Sequence, residues 1–323
     1  MLYFLIAIAL LFDFLNGFHD SSNIVATVIS SRALRPRTAL YMTAIAEFIA
    51  PFIFGVAVAN TVGKDLIDPS AISPNVVIAA ILAAIIWNLF TWFIGIPSSS
   101  SHALVGGLLG SAILLRGWEV VQMGGLLKIL LALFISPPLG LLVSYIIMIL
   151  TLRSFQNATP RINVFFKRLQ ILTSLGLALS HGTNDSQKTM GIITLGLVAA
   201  GYQATFHVPL WVIAASAGAI ALGAATGGWR LIHTLGARIY KIRPVHAFTS
   251  QAASAAVILS AALLGGPVST TQVVSSAIMG AGAAERMSKV RWMVAREMVY
   301  TWLFTIPSTA LGSALIFLVV QSV

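Results

Sequence analysis

The sequence contains no cysteine and very little charge. Of its 323 residues, only 9% are Asp, Glu, Lys or Arg, whereas 58% are hydrophobic. The lack of cysteine excludes disulfides, thiolate metal sites and cysteine nucleophiles. An ordinary soluble domain is about one quarter charged, so this chain cannot cover a water-facing surface. We therefore expect an all-α integral membrane protein, because backbone in lipid must satisfy its hydrogen bonds within each helix.

The formal net charge of +10 does not indicate a nucleic-acid-binding protein. The basic residues stand between apolar segments rather than on one soluble face. Such a distribution is typical of the positive-inside rule of membrane proteins. The partners predicted by composition are therefore the lipid bilayer and a transported solute.

Ten apolar segments are candidate crossings, in two groups of five. They are 1–31, 38–58, 75–95, 97–115, 122–150, 169–198, 207–228, 246–264, 267–283 and 298–320. Residues 1–152 form a predicted first repeat, 153–168 a polar linker and 169–323 a second repeat. The first twelve residues reach only about 18 Å as a helix, less than the hydrocarbon core of about 30 Å. The polar residues that follow them predict a broken membrane helix.

Two polar motifs recur in both halves of the chain. The segment Gly17–Ser21 matches Gly182–Ser186, and the segment Gly95–His102 matches Gly265–Gln272. The motifs keep their order and almost their separation, so we predict an internal duplication.

Basic residues then predict the orientation. If the ten crossings pass through the membrane in turn, fifteen of the nineteen Lys and Arg lie in loops on the same side of it. These loops are 32–37, 153–168, 230–243 and 286–296. Five crossings per half is an odd number, which inverts the second repeat. Both termini are predicted outside and the linker in the cytoplasm, in the cell inner (plasma) membrane. Inverted repeats whose broken helices or re-entrant segments meet near the midplane are typical of secondary transporters.

The motifs carry the groups expected of an ion site. Asp20 and Asp185 occupy equivalent positions, and ionisable residues within a membrane are costly and usually functional. Neighbouring oxygen-bearing side chains suit a hard cation, although capping of a helix break is the simpler alternative. Ser98–Ser101 and Ser269–Thr271 each precede an apolar helix, where hydroxyls and free N–H groups favour an anion. Ordinary N-capping is the alternative here as well.

A dianion beside two ionised aspartates would be strongly repelled in a low dielectric. The arrangement works only if cations arrive with the anion. Each species then lowers the cost of binding the other, which predicts symport.

The paired motifs resemble the duplicated G-A-N-D-x-x-N signature and the P-x-S-[ST]-[ST]-H runs of the PiT family of inorganic phosphate transporters, over essentially the whole chain. The resemblance implies phosphate symport driven by sodium or protons. It implies coupling-ion roles for Asp20, Asn23, Asn184 and Asp185, to which we add His19. It implies phosphate contacts from the helix starts, and our predicted set is Ser99, Ser100, Ser101, Ser269, Thr270, Thr271 and Lys188.

Three departures from the family pattern affect the predicted coupling. His19 and Lys188 stand where the motif has Asn, and Gln272 stands where the first half has His102. An ammonium can fill a sodium position, and a histidine can titrate near neutral pH. These changes favour protons, or a neutral metal–phosphate complex, over sodium. Predicted accessory residues are His102, Gln272, Glu47 and His181; no cofactor or structural metal is expected.

Three alternatives remain open from the sequence. A sulfate permease of the same fold would use similar donors. An intramembrane hydrolase would use Ser98–Ser101, His102 and Asp20, but a catalytic triad needs no inverted duplicate. A passive anion channel is the third. A homodimer is compatible with the sequence, but no feature of it predicts one.

Overall fold

The computed structural model describes residues 1–68, 72–94, 98–227, 243–290 and 292–322, without the side chains of Lys289, Val294 and Glu297. Within these ranges the chain is helical and has no β-strand, which confirms the all-α prediction. The α-helices are α1 (Leu2–Ser30), α2 (Pro36–Phe54), α3 (Ala57–Asn60), α4 (Pro74–Ile94), α5 (Ser100–Arg116), α6 (Met123–Ser154), α7 (Ile162–Ala199), α8 (Leu210–Thr226), α9 (Pro244–Leu263), α10 (Thr270–Glu285) and α11 (Trp292–Gln321).

Seven of the described helices are long and apolar enough to cross a membrane, namely α1, α2, α4, α6, α7, α9 and α11. Helix α8 is apolar but has only 17 residues. Large apolar side chains cover the outside of the molecule, and Phe93 and Leu264 are 86% and 78% exposed. Such a surface is stable only against hydrocarbon. The protein is a multi-pass membrane protein.

The predicted break in the first helix is wrong. Helix α1 continues through His19 and Asp20 for 29 residues, and α7 continues through the matching motif for 38 residues. At 1.5 Å per residue, even α1 reaches about 43 Å. The prediction failed because it counted only the apolar residues of α1. Most of its polar side chains are buried among other helices, so the helix needs no break to accommodate them.

The interruptions lie instead before α5 and α10. These helices have 17 and 16 residues, about 24–26 Å, and most of their residues are buried. They are therefore interior helices that begin inside the protein, at the hydroxyl-rich motifs. The predicted linker 153–168 is also largely helical, since α6 ends at Ser154 and α7 begins at Ile162.

Helices of the two halves pack in a reciprocal pattern. Helix α1 packs on α8 while α7 packs on α2, and α5 packs on α11 while α10 packs on α6. Each of these pairs joins one helix from the first half with one from the second. The core is therefore shared between the halves, an arrangement compatible with a duplicated fold.

Glycines mark the closest of these contacts, in matching pairs. A Cβ on Gly17 would lie 2.1 Å from the Ile220 carbonyl oxygen, and one on Gly182 would lie 2.5 Å from Glu47 Cα. At the interior helices, a Cβ on Gly110 would lie 2.0 Å from the Ala310 carbonyl oxygen. Small residues allow this close helix packing in membranes.

Some predicted features lie outside the described residues. These are Gly95–Pro97 of the first hydroxyl-rich motif, and the basic residues Arg230, Arg238, Lys241 and Arg291 that contribute to the predicted orientation.

The glycine contacts make a testable prediction about stability. Gly110→Ala and Gly280→Ala should each destabilise the protein by about 1–3 kcal/mol, the usual cost of overpacking, because the new Cβ atoms would lie 2.0 and 2.2 Å from the carbonyl oxygens of Ala310 and Leu141. Thermal unfolding in detergent measures the effect. Gly218→Ala is the matched control, since no described atom lies within 4 Å of its added Cβ. Equal melting temperatures for all three variants would contradict the packing.

Candidate functional site

The polar motifs meet in the interior of the protein. The middle of α1, the middle of α7 and the first residues of α10 supply most of the side chains, and α2 and α5 complete the cluster. Four of the nine acidic residues of the chain are buried in this region: Asp13, Asp20, Glu47 and Asp185. Among the described Lys and Arg side chains, only Lys188 is buried with them.

Asp20 is held by donors from both halves of the chain. Its Oδ1 accepts hydrogen bonds from Asn23 Nδ2 at 3.0 Å and from Thr271 Oγ1 at 2.9 Å. Asn23 also donates to Thr271 Oγ1 at 2.9 Å. His19 Nδ1 lies 3.1 Å from the same carboxylate oxygen. The first aspartate is thus bound to the start of α10, which follows it by about 250 positions.

Asp185 has a different set of partners, which includes a full positive charge. Lys188 Nζ lies 2.7 Å from its Oδ1 and also donates to the Val268 carbonyl oxygen at 3.1 Å. Asn16 Nδ2 donates to the other carboxylate oxygen at 3.1 Å, and Thr270 Oγ1 does so at 3.3 Å. Charge-assisted bonds of this kind are the strong ones in a buried site.

His181 stands between the acidic groups. Its Nε2 lies 3.8 Å from Asp20 Oδ2 and 3.4 Å from Asp185 Oδ2, and its Nδ1 lies 2.8 Å from Glu47 Oε1. The ring therefore links the paired aspartates to a third buried carboxyl on α2. The two aspartates and His181 offer ligand atoms that all lie within 4.8 Å of one another. This spacing allows one cation, or a shared proton, to contact all three groups.

The two hydroxyl-rich motifs place two helix starts together. Ser99 Oγ caps α5 by accepting from the His102 backbone N–H at 3.2 Å, and Ser269 Oγ caps α10 by accepting from the Gln272 N–H at 3.4 Å. The side chains of His102 and Gln272 approach to 3.5 Å. Ser101 Oγ donates to the Val268 carbonyl oxygen at 2.9 Å, which ties the start of α5 to the segment before α10.

A cavity of about 200 Å³ reaches this cluster. It lies between α1 and the end of α4, and its polar lining is Asn16, His19, Asp20, Asn88, Ser98 and Ser100. Ser100 is half-buried at the edge of this cavity. At the matching positions of the second half the side chains are all buried, namely His181, Asp185, Val268 and Thr270. The described cavity therefore reaches the cluster from the first-half side.

The predicted site residues are therefore gathered in one place, in unequal roles. Asn184 Oδ1 accepts from the Val268 backbone N–H at 3.4 Å, so it holds the segment before α10. Glu47 and His181, predicted as accessory, lie between the aspartates. His102 and Gln272 contact each other at the helix starts. Which of these residues bind substrate and which bind the coupling ion remain predictions.

The predicted site residues did not include Asn16 or Asp13, although the sequence allowed Asp13 to cap a half-helix or to lie in the ion route. Asn16 precedes Asp20 by four residues, as His181 precedes Asp185, so extension of the repeat by one helical turn would have found it. Asp13 belongs to the same face of α1, three residues before Asn16. Its isolation within apolar sequence hid its burial.

The proposed triad of an intramembrane hydrolase is not formed. His102 Nδ1 lies 2.8 Å from Ser99 Oγ, but Asp20 bonds to Asn23 and Thr271. The His102 Nε2 atom has no hydrogen-bond partner among the described residues. A triad needs the acid to orient the histidine from its second nitrogen.

A multi-pass helical protein that buries a cluster of ionisable side chains beside a cavity and two interior helix starts is a membrane transporter rather than an enzyme. The sequence matches the phosphate transporter family over residues 16–161 and 153–313. The chain belongs to this family.

Relatives extend the comparison over the full chain. A protein of Rhizobium meliloti is 45% identical over 96% of this chain and 94% of its own length, and one of Bacillus subtilis is 41% identical over 98% and 96%. Both are described as probable low-affinity inorganic phosphate transporters. A solved structure described as the sodium-dependent phosphate transporter has the same fold, with a TM-score of 0.90 and 24% identity over 100% of this chain and 99% of its own.

Proposed function

We propose that this protein imports inorganic phosphate by symport with a coupling cation, and that the cation is a proton rather than sodium. The imported species is free phosphate or a metal–phosphate complex. The observation that carries the proposal is the buried cluster of four carboxyl groups, with Lys188 as the one buried Lys or Arg among the described side chains.

Charge balance supports symport. Fully ionised, Asp13, Asp20, Glu47 and Asp185 would bring four negative charges against one on Lys188 and one on a protonated His181. A phosphate dianion would double the net excess of two negative charges. Uncompensated charge in a low-dielectric interior costs several kcal/mol per ion or more. Phosphate therefore enters together with cations, and each stabilises the other.

The helix starts supply the phosphate contacts in this proposal. Backbone N–H groups and hydroxyls at the first turns of α5 and α10 converge near the aspartates, and the positive ends of both helix dipoles favour an anion there. Ser100 on the cavity side and Thr270 beside Asp185 can donate to phosphate oxygens. A protonated phosphate can also donate to Asp20 or Asp185, which sulfate, without a proton near neutral pH, cannot do.

Lys188 favours protons over sodium as the coupling ion. Its ammonium contacts a carboxylate oxygen at 2.7 Å and the Val268 carbonyl oxygen at 3.1 Å. A carboxylate combined with the carbonyl of a non-helical segment is the type of oxygen set that binds sodium in transporters of this kind. The ammonium already fills that set, so a sodium ion cannot take the same position between Asp185 Oδ1 and the Val268 carbonyl oxygen. The fold likeness to a sodium-dependent transporter makes sodium the alternative.

The two halves are inverted repeats in this proposal, with both termini outside and the linker cytoplasmic. Odd numbers of crossings per half and the basic loops support the orientation. The reciprocal packing of α1 on α8 and α7 on α2 supports the duplication. With this orientation, the cavity beside the end of α4 faces the cytoplasm. Closure of this side and opening of the second-half side would then expose the same cluster to the exterior.

Transport itself can be tested with labelled phosphate and purified protein in liposomes. Asp20→Asn and Asp185→Asn should each lower phosphate uptake about a hundredfold, because loss of a buried charge-assisted interaction costs about 3 kcal/mol. Glu119→Gln makes the same chemical change at an exposed position and should leave uptake unchanged. Excess sulfate should not inhibit. Normal uptake by both aspartate variants would contradict the site.

The coupling ion can be tested by imposing proton and sodium gradients separately. An inward proton gradient should drive accumulation by the wild type in sodium-free buffer. Lys188→Asn removes the ammonium and restores the last Asn of the G-A-N-D-x-x-N family motif. We expect uptake in sodium-free buffer to fall roughly tenfold, which corresponds to about 1.4 kcal/mol. Added sodium should restore the uptake. Strict sodium dependence of the wild type would overturn the proton assignment.

A further inference from the structure

Asp13 on α1 is a buried acid for which the cluster described above offers no partner. We propose that Asp13 carries the coupling proton, which it binds on one side of the membrane and releases on the other in each transport cycle. This inference rests on the proposed phosphate symport and assigns one residue to its proton.

The Asp13 carboxyl group is isolated from solvent and from donors. The residue is 0% exposed, and neither carboxylate oxygen has a hydrogen-bond partner among the described residues. The Thr189 hydroxyl on α7 lies beside it but does not reach it with hydrogen-bond geometry. A buried carboxylate without donors or a counter-ion is strongly disfavoured, and the usual solution is to bind a proton.

The other three buried carboxyl groups each lie within 3 Å of an ammonium, a hydroxyl or an imidazole. Asp185 is paired with Lys188 at 2.7 Å, and Asp20 accepts from Thr271 at 2.9 Å. Glu47 Oε1 lies 2.8 Å from His181 Nδ1. The Glu47 oxygens, like those of Asp13, make no hydrogen bond among the described residues, but the imidazole beside Glu47 can carry a positive charge. No described basic group lies within 4 Å of Asp13, so its charge is the least compensated of the four.

The position of Asp13 connects its charge to the phosphate site. Residues 13, 16 and 20 lie on one face of α1, and Asn16, one turn from Asp13, donates to Asp185 at 3.1 Å. The titratable groups facing Asp13 are Asp185, Lys188 and His181, all on α7. Helices α4 and α8, which also pack on α1, contain no Asp, Glu, His, Lys or Arg.

This geometry couples the proton to phosphate. An ionised Asp13 adds a negative charge beside Asp185, which repels phosphate, whereas a protonated Asp13 does not. Phosphate binding and protonation of Asp13 therefore favour each other, and by linkage the effect is reciprocal. The step moves one proton onto a carboxylate oxygen and off again, with no other bond formed or broken.

A proton suits this position better than a metal cation does. A hard metal ion takes several oxygen ligands, whereas the Thr189 hydroxyl is the described polar group beside Asp13. At the repeat offset of 165, Asp13 corresponds to Ala178, which is also buried. The second half therefore has no matching acid, and the proposal assigns one proton-carrying group of this kind to each chain.

Two transport modes separate the proton role from phosphate binding. In liposomes, phosphate exchange at equal concentrations needs no net proton movement, whereas uphill accumulation does. With an inward gradient of one pH unit, each proton carried can support about a tenfold phosphate gradient. Asp13→Asn should exchange phosphate within about twofold of the wild type, but its accumulation ratio should fall to about one.

The control variants keep the proposal falsifiable. Asp13→Ala copies the residue at the matching position and should behave like Asp13→Asn, whereas Asp13→Glu should retain accumulation. The exposed Glu119→Gln should match the wild type. Wild-type accumulation by folded Asp13→Asn or Asp13→Ala would overturn the proposal, and so would loss of exchange by both. A wild type that exchanges no phosphate would contradict the proposed function itself, and with it this proposal.

Discussion

Buried negative charge is the constraint on which the rest of the structure depends. Asp20 and Asp185 lie on different halves of the chain, yet His181 Nε2 is 3.8 Å from one and 3.4 Å from the other. Two carboxylates so close in an apolar interior cannot remain ionised without donors or cations. The surrounding structure supplies Lys188, the Asn and Thr donors and the helix starts. In the proposed function, cations that arrive with phosphate supply the remaining positive charge.

The fold positions these groups by packing helices of one half against helices of the other half. Because α1 packs on α8 and α7 on α2, the motifs on α1 and α7 are brought to the centre from opposite halves. Glycines at the closest contacts allow the backbones to approach. Helices α5 and α10 begin inside the protein at the same level, so their N–H groups and dipoles act on the cluster. Helix α5 packs on α4 and α11, and α10 packs on α6 and α9.

The sequence predicted much of this arrangement because the costs involved are large. So few charges indicated lipid exposure, and two matched motifs with central aspartates favoured a shared buried site over capping of helix breaks. Helix continuity was harder to predict, because sequence patterns cannot show whether polar residues such as Asn16 and Asp20 face other helices or interrupt their own. The pairing of Glu47 with His181, and the isolation of Asp13, depend on which helices pack together. That information is absent from local sequence.

The central claim is that phosphate binds to this cluster only together with positive charge. Calorimetry of phosphate binding to the purified protein, in sodium-free buffers of different ionisation enthalpy, measures the protons taken up per phosphate. Above the second pKa of phosphate, where the free ligand is a dianion, we predict uptake of at least one proton for each phosphate bound. Tight binding with no proton uptake and no dependence on any added cation would contradict the account.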